Sequence, residues 1–295
     1  MKIYYGITNQ WMDVTDICLS ALTIQHQMDI PKGDSNRAVH FTDPLPGILK
    51  SIMIEHDGVV TEYDHETTIT VDLQTNAITT THEHMLQRAI DAIHARLTIN
   101  HGTFHQELPE QKMAVRYITG KEKVLELGGN IGRNSLVIAS MLEDSANLVT
   151  LECDPQIAAQ LTENRDLNGL MFHIECSALS KRTLIQKGWE TIPSDTLQEG
   201  YQWVHTITFD GLKDKYNMEF DTLVLDCEGA FYYIVKDMPE MLEKITLIIM
   251  ENDYGDASHK HYVDEILRTN HFHVAYQESG GWGPCSNNFF EVWKK

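Results

Sequence analysis

Positive charge is scarce in this sequence: 23 Lys and Arg stand against 43 Asp and Glu in 295 residues, a formal net charge of −20. A surface so acidic repels phosphate backbones and anionic lipid headgroups, so neither nucleic acid nor membrane is an expected partner through bulk charge. Cysteine is sparse too. Cys18, Cys153, Cys176, Cys227 and Cys285 are scattered, odd in number and free of C-x-x-C spacing. That argues against a disulfide framework or a zinc site and for a reducing compartment. Long apolar runs are missing. The longest, such as Ile245-Thr-Leu-Ile-Ile-Met250, are strand-length, and the opening MKIYYGITNQ lacks the apolar core of a signal peptide. A soluble, cytoplasmic protein is the expectation. The 42% of hydrophobic residues suffices for one large or two modest domains.

Two textures follow one another. Residues 1–81 are rich in Thr, Ile, Val and Tyr and broken by Pro31-Lys-Gly-Asp34, Asp43-Pro-Leu-Pro-Gly47 and His56-Asp-Gly58. Thr67-Thr-Ile-Thr-Val-Asp-Leu73 alternates as a half-buried strand does, so this part reads as a β-rich module. Residues 82–106 form a helix-competent connector, with Met85, Ala89, Ile90, Ile93 and Leu97 at near-helical spacing. Over residues 107–295 short apolar strands alternate with helices: strands at 123–127, 147–152, 171–175, 221–226, 245–251, 272–276 and 288–293, helices at 134–141, 155–167, 230–242 and 262–267. That rhythm predicts an α/β domain with a mostly parallel, doubly wound, Rossmann-like sheet. Residues 176–220 read as irregular and polar.

The most informative segment is Val124-Leu-Glu-Leu-Gly-Gly-Asn-Ile-Gly-Arg-Asn-Ser135, a strand that ends in glycines and feeds a helix. Gly128 and Gly132 let the backbone turn and approach a ligand with no Cβ in the way. Glu126 lies at the strand's end, and Glu152 closes the next strand, where a carboxylate accepts hydrogen bonds from ribose hydroxyls. A tight turn with no ligand is one reading. A nicotinamide cofactor is a second, but it calls for G-x-G-x-x-G, and Asn130 stands where the middle glycine belongs. S-adenosylmethionine is the third and the best fit. It has a ribose and no phosphate, and its amino group and sulfonium suit an acid at Glu126.

Glu126-Leu-Gly-Gly-Asn-Ile-Gly132, Leu151-Glu-Cys-Asp-Pro155, Asn164-Arg-Asp-Leu-Asn168 and Asp226-Cys-Glu-Gly229, in this order, resemble the FkbM-type S-adenosylmethionine-dependent methyltransferases. The resemblance covers residues 107–295. It implies a seven-stranded class I methyltransferase fold and O-methylation of a hydroxyl on a sugar, in a glycan or glycoconjugate, or on another natural product. It carries cofactor contact onto Glu126, Gly128, Asn130, Gly132 and Glu152, and places Asp154, Ser177 and Ala178 near the adenine.

Asp226-Cys-Glu-Gly229 and Glu251-Asn-Asp253 end the next two strands, so their acids should face the crevice beyond the strand tips. Asp226, Glu251 and Asn252 are also similar to the Mg²⁺ ligands of catechol-type O-methyltransferases, except that Gly229 stands where that family has a lysine base. Two routes to a deprotonated hydroxyl stay open: Mg²⁺ on those three oxygen donors, or Asp226 or Glu228 as general base. His259 and His261 follow the acidic tip and could edge the pocket. His82 with His84, and His271 with His273, look like ligand pairs but lack partner motifs and are expected to be exposed or packed. Trp282 is a candidate to stack on a sugar or to cover the sheet edge; Trp11 and the Tyr4-Tyr5 pair are expected in the core. A non-sugar acceptor, a nicotinamide-dependent oxidoreductase and a non-catalytic cofactor-binding protein are the rivals.

Overall fold

The computed structural model describes residues 1–80, 82–188 and 190–295, without the side chains of 82–85. The chain divides into two compact units, residues 1–89 and 90–295. Among the described residues no helix is long and apolar enough to cross a membrane.

The first unit holds two four-stranded antiparallel sheets. One runs in the order Gln10–Asp13, Lys2–Ile7, Ser51–His56, Val59–Tyr63; the other in the order Thr23–Ile24, Gln27–Ile30, Ile69–Asp72, Ile78–Thr80. Alternation decides what each face buries. Ile69 and Val71 are buried, while Thr70 between them reaches Asp29 Oδ1 at 2.7 Å. The His56-Asp-Gly58 breaker is a two-residue hairpin turn with His56 opposite Val59; Asp57 (φ 51°) and Gly58 (φ 78°) take the two left-handed positions such a turn needs. Two short helices, Thr15–Ala21 and Asp34–Phe41, were not legible as such. Tyr5 is buried as expected, and its hydroxyl donates to Asp34 Oδ1 at 2.6 Å.

The second unit is built on seven strands: β1 (Val124–Leu127), β2 (Leu148–Leu151), β3 (His173–Glu175), β4 (Thr222–Leu225), β5 (Leu247–Glu251), β6 (His273–Glu278) and β7 (Phe290–Lys294). Their order is β3-β2-β1-β4-β5-β7-β6, with β7 antiparallel to both neighbours and the rest parallel. This is the doubly wound, Rossmann-like sheet that the alternating pattern predicted. β1, β2 and β4 are buried at every position because helices cover both faces. On one face pack α1 (Leu108–Tyr117), α2 (Arg133–Met141) and α3 (Pro155–Leu167); on the other, α4 (Phe209–Tyr216), α5 (Phe231–Asp237) and α6 (Ala257–Thr269). The sheet order reverses between β1 and β4, which opens a crevice beyond their carboxyl ends.

Three segments differ from expectation. α5 stops at Asp237 rather than running to Leu242. Pro239 has no N–H and forces Met238 out of the helical region (φ −136°, ψ 57°), and the chain continues as a 3₁₀ turn over Pro239–Glu243. The stretch read as irregular contains a three-stranded antiparallel sheet of Leu184–Lys187, Glu190–Pro193 and Gln202–Val204, followed by α4. α1, opened by Pro109, was missed altogether.

Candidate functional site

β1 delivers the glycine loop to the crevice. Gly128 has φ 89°, and a Cβ there would lie 1.6 Å from the Asp226 carbonyl oxygen, so the crossing of the two strand ends excludes any side chain. Every backbone N–H of the loop already has a partner. Gly128 and Gly129 donate to Leu151 O (3.0 and 2.9 Å), Asn130 to Glu152 Oε2 (2.9 Å), Ile131 to Asn130 Oδ1 (2.8 Å) and Gly132 to Gly129 O (2.8 Å). The loop therefore presents no free N–H cradle to a phosphate. It presents instead a carboxylate: Glu152, at the tip of β2, whose second oxygen accepts from Asp154 N at 2.8 Å. Burial pushes the Glu152 carboxyl up, and those two N–H groups oppose the shift.

A cavity of about 1200 Å³ opens above the strand tips. That exceeds the usual range for a single small ligand, roughly 300–1,000 Å³, and leaves room for a second molecule. Gly128, Asn130, Glu152, Asp154, Ser177 and Ala178, six of the eight expected cofactor residues, line it. Their local roles differ. Asp154 caps α3, its side chain accepting from the N–H groups of Gln156 and Ile157. Ser177 is buried, and its Oγ lacks a partner.

The other two lie elsewhere. Gly132 begins α2 at φ 93°, and a Cβ would meet Leu161 Cδ1 at 2.3 Å; this glycine serves helix packing. Glu126 points beneath the loop, fully buried, where it accepts from Ser135 Oγ. Burial raises its carboxyl to about 7. It borders a void of about 10 Å³, room for roughly one water, that is shared with Glu110, Gly128, Asp226 and Glu251.

The acids of β4 and β5 gather at the same cavity. Asp226, Glu228, Glu251 and Asp253 all line it. Burial raises the Asp226 carboxyl well above its ordinary range, and Glu107, Glu110 and Glu228 push it further. Glu251 is raised by burial, by a hydrogen bond with Glu110 and by the Asp226 charge. Glu228, although more exposed than the rest, is raised by desolvation and by a hydrogen bond with Asp253.

Glu107 and Glu110, from the start of α1, were not singled out in the sequence. Glu107 pairs with Arg133 at 2.5 Å and accepts from Asn130 Nδ2 at 3.1 Å, which holds the glycine loop against α1. Glu110 is 8% exposed, lines the cavity and leaves Oε2 without a partner. The signal was an acid one residue after a helix-opening proline, on a face otherwise bearing Met113 and Ala114.

The oxygen set considered for Mg²⁺ does not assemble. Asp226 and Glu251 share the cavity, but Asn252 is fully buried away from it, its Nδ2 donating to Asn288 O at 2.6 Å. Among the described residues no group of three His, Cys, Asp or Glu is arranged to hold a metal ion. His259 does not edge the pocket; it stacks on Tyr232 with ring centroids 3.8 Å apart. His261 lies on the surface beside Glu265, and His273 is exposed on β6. The side chains of His82 and His84 fall outside the described residues. Trp282 lines the cavity and is 60% exposed.

No protein-family model matches the sequence, and a search of curated proteins returned no match. Solved structures are similar to it over part of the chain. An O-methyltransferase from Bacillus cereus, in complex with SAH, is 16% identical, with 72% of this chain and 91% of that chain covered and a TM-score of 0.42. An rRNA methylase from Streptococcus thermophilus is 8% identical over 63% and 93% of the two chains, TM-score 0.39. A protein of the NADB-Rossmann superfamily from Streptococcus agalactiae is 11% identical over 63% and 67%, TM-score 0.40.

Proposed function

We propose that this chain transfers the methyl group of S-adenosylmethionine to a hydroxyl of a small molecule or glycan, with a sugar hydroxyl as the preferred acceptor and neither nucleic acid nor membrane as partner. The observation that carries the cofactor reading is the hydrogen-bond accounting of the glycine loop. A dinucleotide needs unpaired N–H groups for its pyrophosphate. Here residues 128–132 have spent all of theirs, and Glu152 and Glu107 face the same place. A ribose-bearing, phosphate-free, cationic ligand meets no such obstacle.

The residues present fit that ligand. Glu152 accepts one N–H on each oxygen, which leaves a lone pair on each for a ribose hydroxyl. Ser177 Oγ and Asn130 lie on the same cavity wall. When bound, the cofactor supplies an electrophilic methyl carbon. The chain's own work is orientation and deprotonation: Asp226 and Glu228 stand at the tip of β4, and a carboxyl raised by burial is a stronger base once ionised. That a sugar is the acceptor rests on the family resemblance together with the anionic cavity, which disfavours phosphorylated or carboxylated acceptors.

Calorimetric titration with S-adenosylhomocysteine and, separately, with NADH tests the cofactor, and [methyl-³H]S-adenosylmethionine with a sugar panel tests the transfer. Binding of NADH without S-adenosylhomocysteine would establish the oxidoreductase. Cofactor binding with no transfer to any hydroxyl would leave a binding protein.

A further inference from the structure

The cavity's carboxyls fall into two sets. Glu110, Asp226 and Glu251 also border the small void beside Gly128, close under the glycine loop. Glu228 and Asp253 line only the large cavity, with Tyr233 and Trp282 on its wall. Among the described residues no Lys, Arg or His is ion-paired with any of the five. The two cations that line the cavity are already engaged, Lys181 with Glu240 at 3.1 Å and Arg182 with Asp237 at 2.5 Å.

Carboxyl groups that line a cavity with no cation of the chain to pair with are acceptors for a cationic ligand. The cofactor of the proposed reaction brings a sulfonium and an ammonium against one carboxylate, a single net positive charge, and the set under the loop lies nearest to it. Nothing in the chain offsets the second set. Asp253 is 9% exposed and lines the cavity, and its buried Oδ1 has no hydrogen-bond donor; Glu110 lines it too, with Oε2 in the same condition. Ser177 Oγ, on another part of the wall, is a third buried polar atom awaiting a ligand. The indole of Trp282, 60% exposed, lines the same cavity and offers a face for a cation to rest on.

We propose that the acceptor is a hydroxyl-bearing molecule that also carries an ammonium group, and that Glu228 and Asp253 hold this ammonium while Trp282 covers it, which leaves Asp226 as the base. This rests on the methyl-transfer reading and narrows its acceptor from neutral to cationic: an amino sugar or amino alcohol rather than a plain sugar. The pair suits the task because two carboxyl groups on one cavity offer several acceptor oxygens to the N–H donors of an ammonium.

The test is calorimetry on the full chain, with and without saturating S-adenosylhomocysteine, using matched probes: glucosamine against N-acetylglucosamine, and tyramine against N-acetyltyramine. Acetylation removes the charge and keeps the ring. At least one amine should bind about 10-fold or more tightly than its N-acetyl partner. Asp253→Asn and, independently, Glu228→Gln should each bring the amine down to the affinity of that partner. Both should leave S-adenosylhomocysteine binding within about 2-fold. Glu228, being more exposed, keeps the test usable if Asp253→Asn fails to fold. Equal binding of amine and N-acetyl probes, no amine binding in either pair, or a preference that survives both variants overturns the proposal. A preference for the amine without any S-adenosylhomocysteine binding would keep the ammonium site and reject the cofactor. Cofactor binding with no preference would do the reverse.

Discussion

In the first unit Lys50 has no exposed side-chain surface, and two carboxylates reach it, Asp34 at 2.8 Å and Asp43 at 2.8 Å. Arg37, equally buried, gives its guanidinium to the carbonyls of Pro31 and Thr67 at 2.8 and 2.5 Å. In the second unit Glu110, Asp226, Glu251 and Asp253 line the cavity with no cation paired to them among the described residues, and burial raises the Asp226 and Glu251 carboxyls. The first arrangement satisfies its charges internally and belongs to folding. The second has no internal cation to pair with, at a cavity large enough to admit a ligand that brings one. Pairing, more than burial, separates a structural charge from a functional one.

The largest effect should come from breaking the satisfied cluster. Lys50→Ala leaves Asp34 and Asp43 facing each other, with Tyr5 O–H the main remaining donor to Asp34. Urea unfolding should show a loss of about 3–5 kcal/mol. A loss below about 1 kcal/mol, the range of an exposed pair, would dissolve the contrast between the units.

Next is a pH effect in the second unit. Glu126 is raised from 4.5 to about 7 in the folded chain. Between those values the folded state holds a proton that the unfolded state has released, so stability is full below the lower value and falls as pH rises through the upper one. The full shift amounts to about 3 kcal/mol. Glu126→Gln should flatten that slope in urea titrations from pH 5 to 7, since its amide oxygen can still accept from Ser135. Parallel slopes in the two proteins would show that Glu126 is not the group responsible.

Glu152→Ala should weaken S-adenosylhomocysteine by about 1.5–3 kcal/mol, roughly 10- to 100-fold, in calorimetry. Because Glu152 also accepts from Asn130 and Asp154, part of that loss is a loosened loop. Glu152→Gln separates the two: its single amide oxygen keeps one N–H acceptor. Unchanged affinity in both variants would remove Glu152 from the site.

Much of this site could be read before the fold was known, for a physical reason. Strand tips and the first turn after them are local features: a buried four-residue strand, a glycine where no Cβ fits, an acid at the end. Glu152, Asp226, Glu228 and Asp253 follow from that logic, and all line the cavity. What failed depended on packing between segments far apart in sequence. Gly132 looks like Gly128 until Leu161 is seen against it. Asn252 looks like a ligand until its amide is found on Asn288. Glu110 could not be placed because α1 joins the site from before the motif, and nothing local tells a buried acid on a helix from an exposed one. The three-stranded sheet of Leu184–Lys187, Glu190–Pro193 and Gln202–Val204 was lost because its strands are short.

The smallest effect is the most discriminating. Ser177 Oγ is buried and unpaired, so it carries a desolvation cost that the empty chain does not recover. Ser177→Ala should therefore leave the unit as stable as before or up to about 1 kcal/mol more stable. The same change should weaken S-adenosylhomocysteine by roughly 0.5–1.5 kcal/mol, the worth of one hydrogen bond. The two signs must be opposite. A structural serine would lose stability and leave binding alone, as the paired groups of the first unit should. Stability and affinity falling together would assign Ser177 to the fold, and Glu110 and Asp253 would then have to carry the contrast without it.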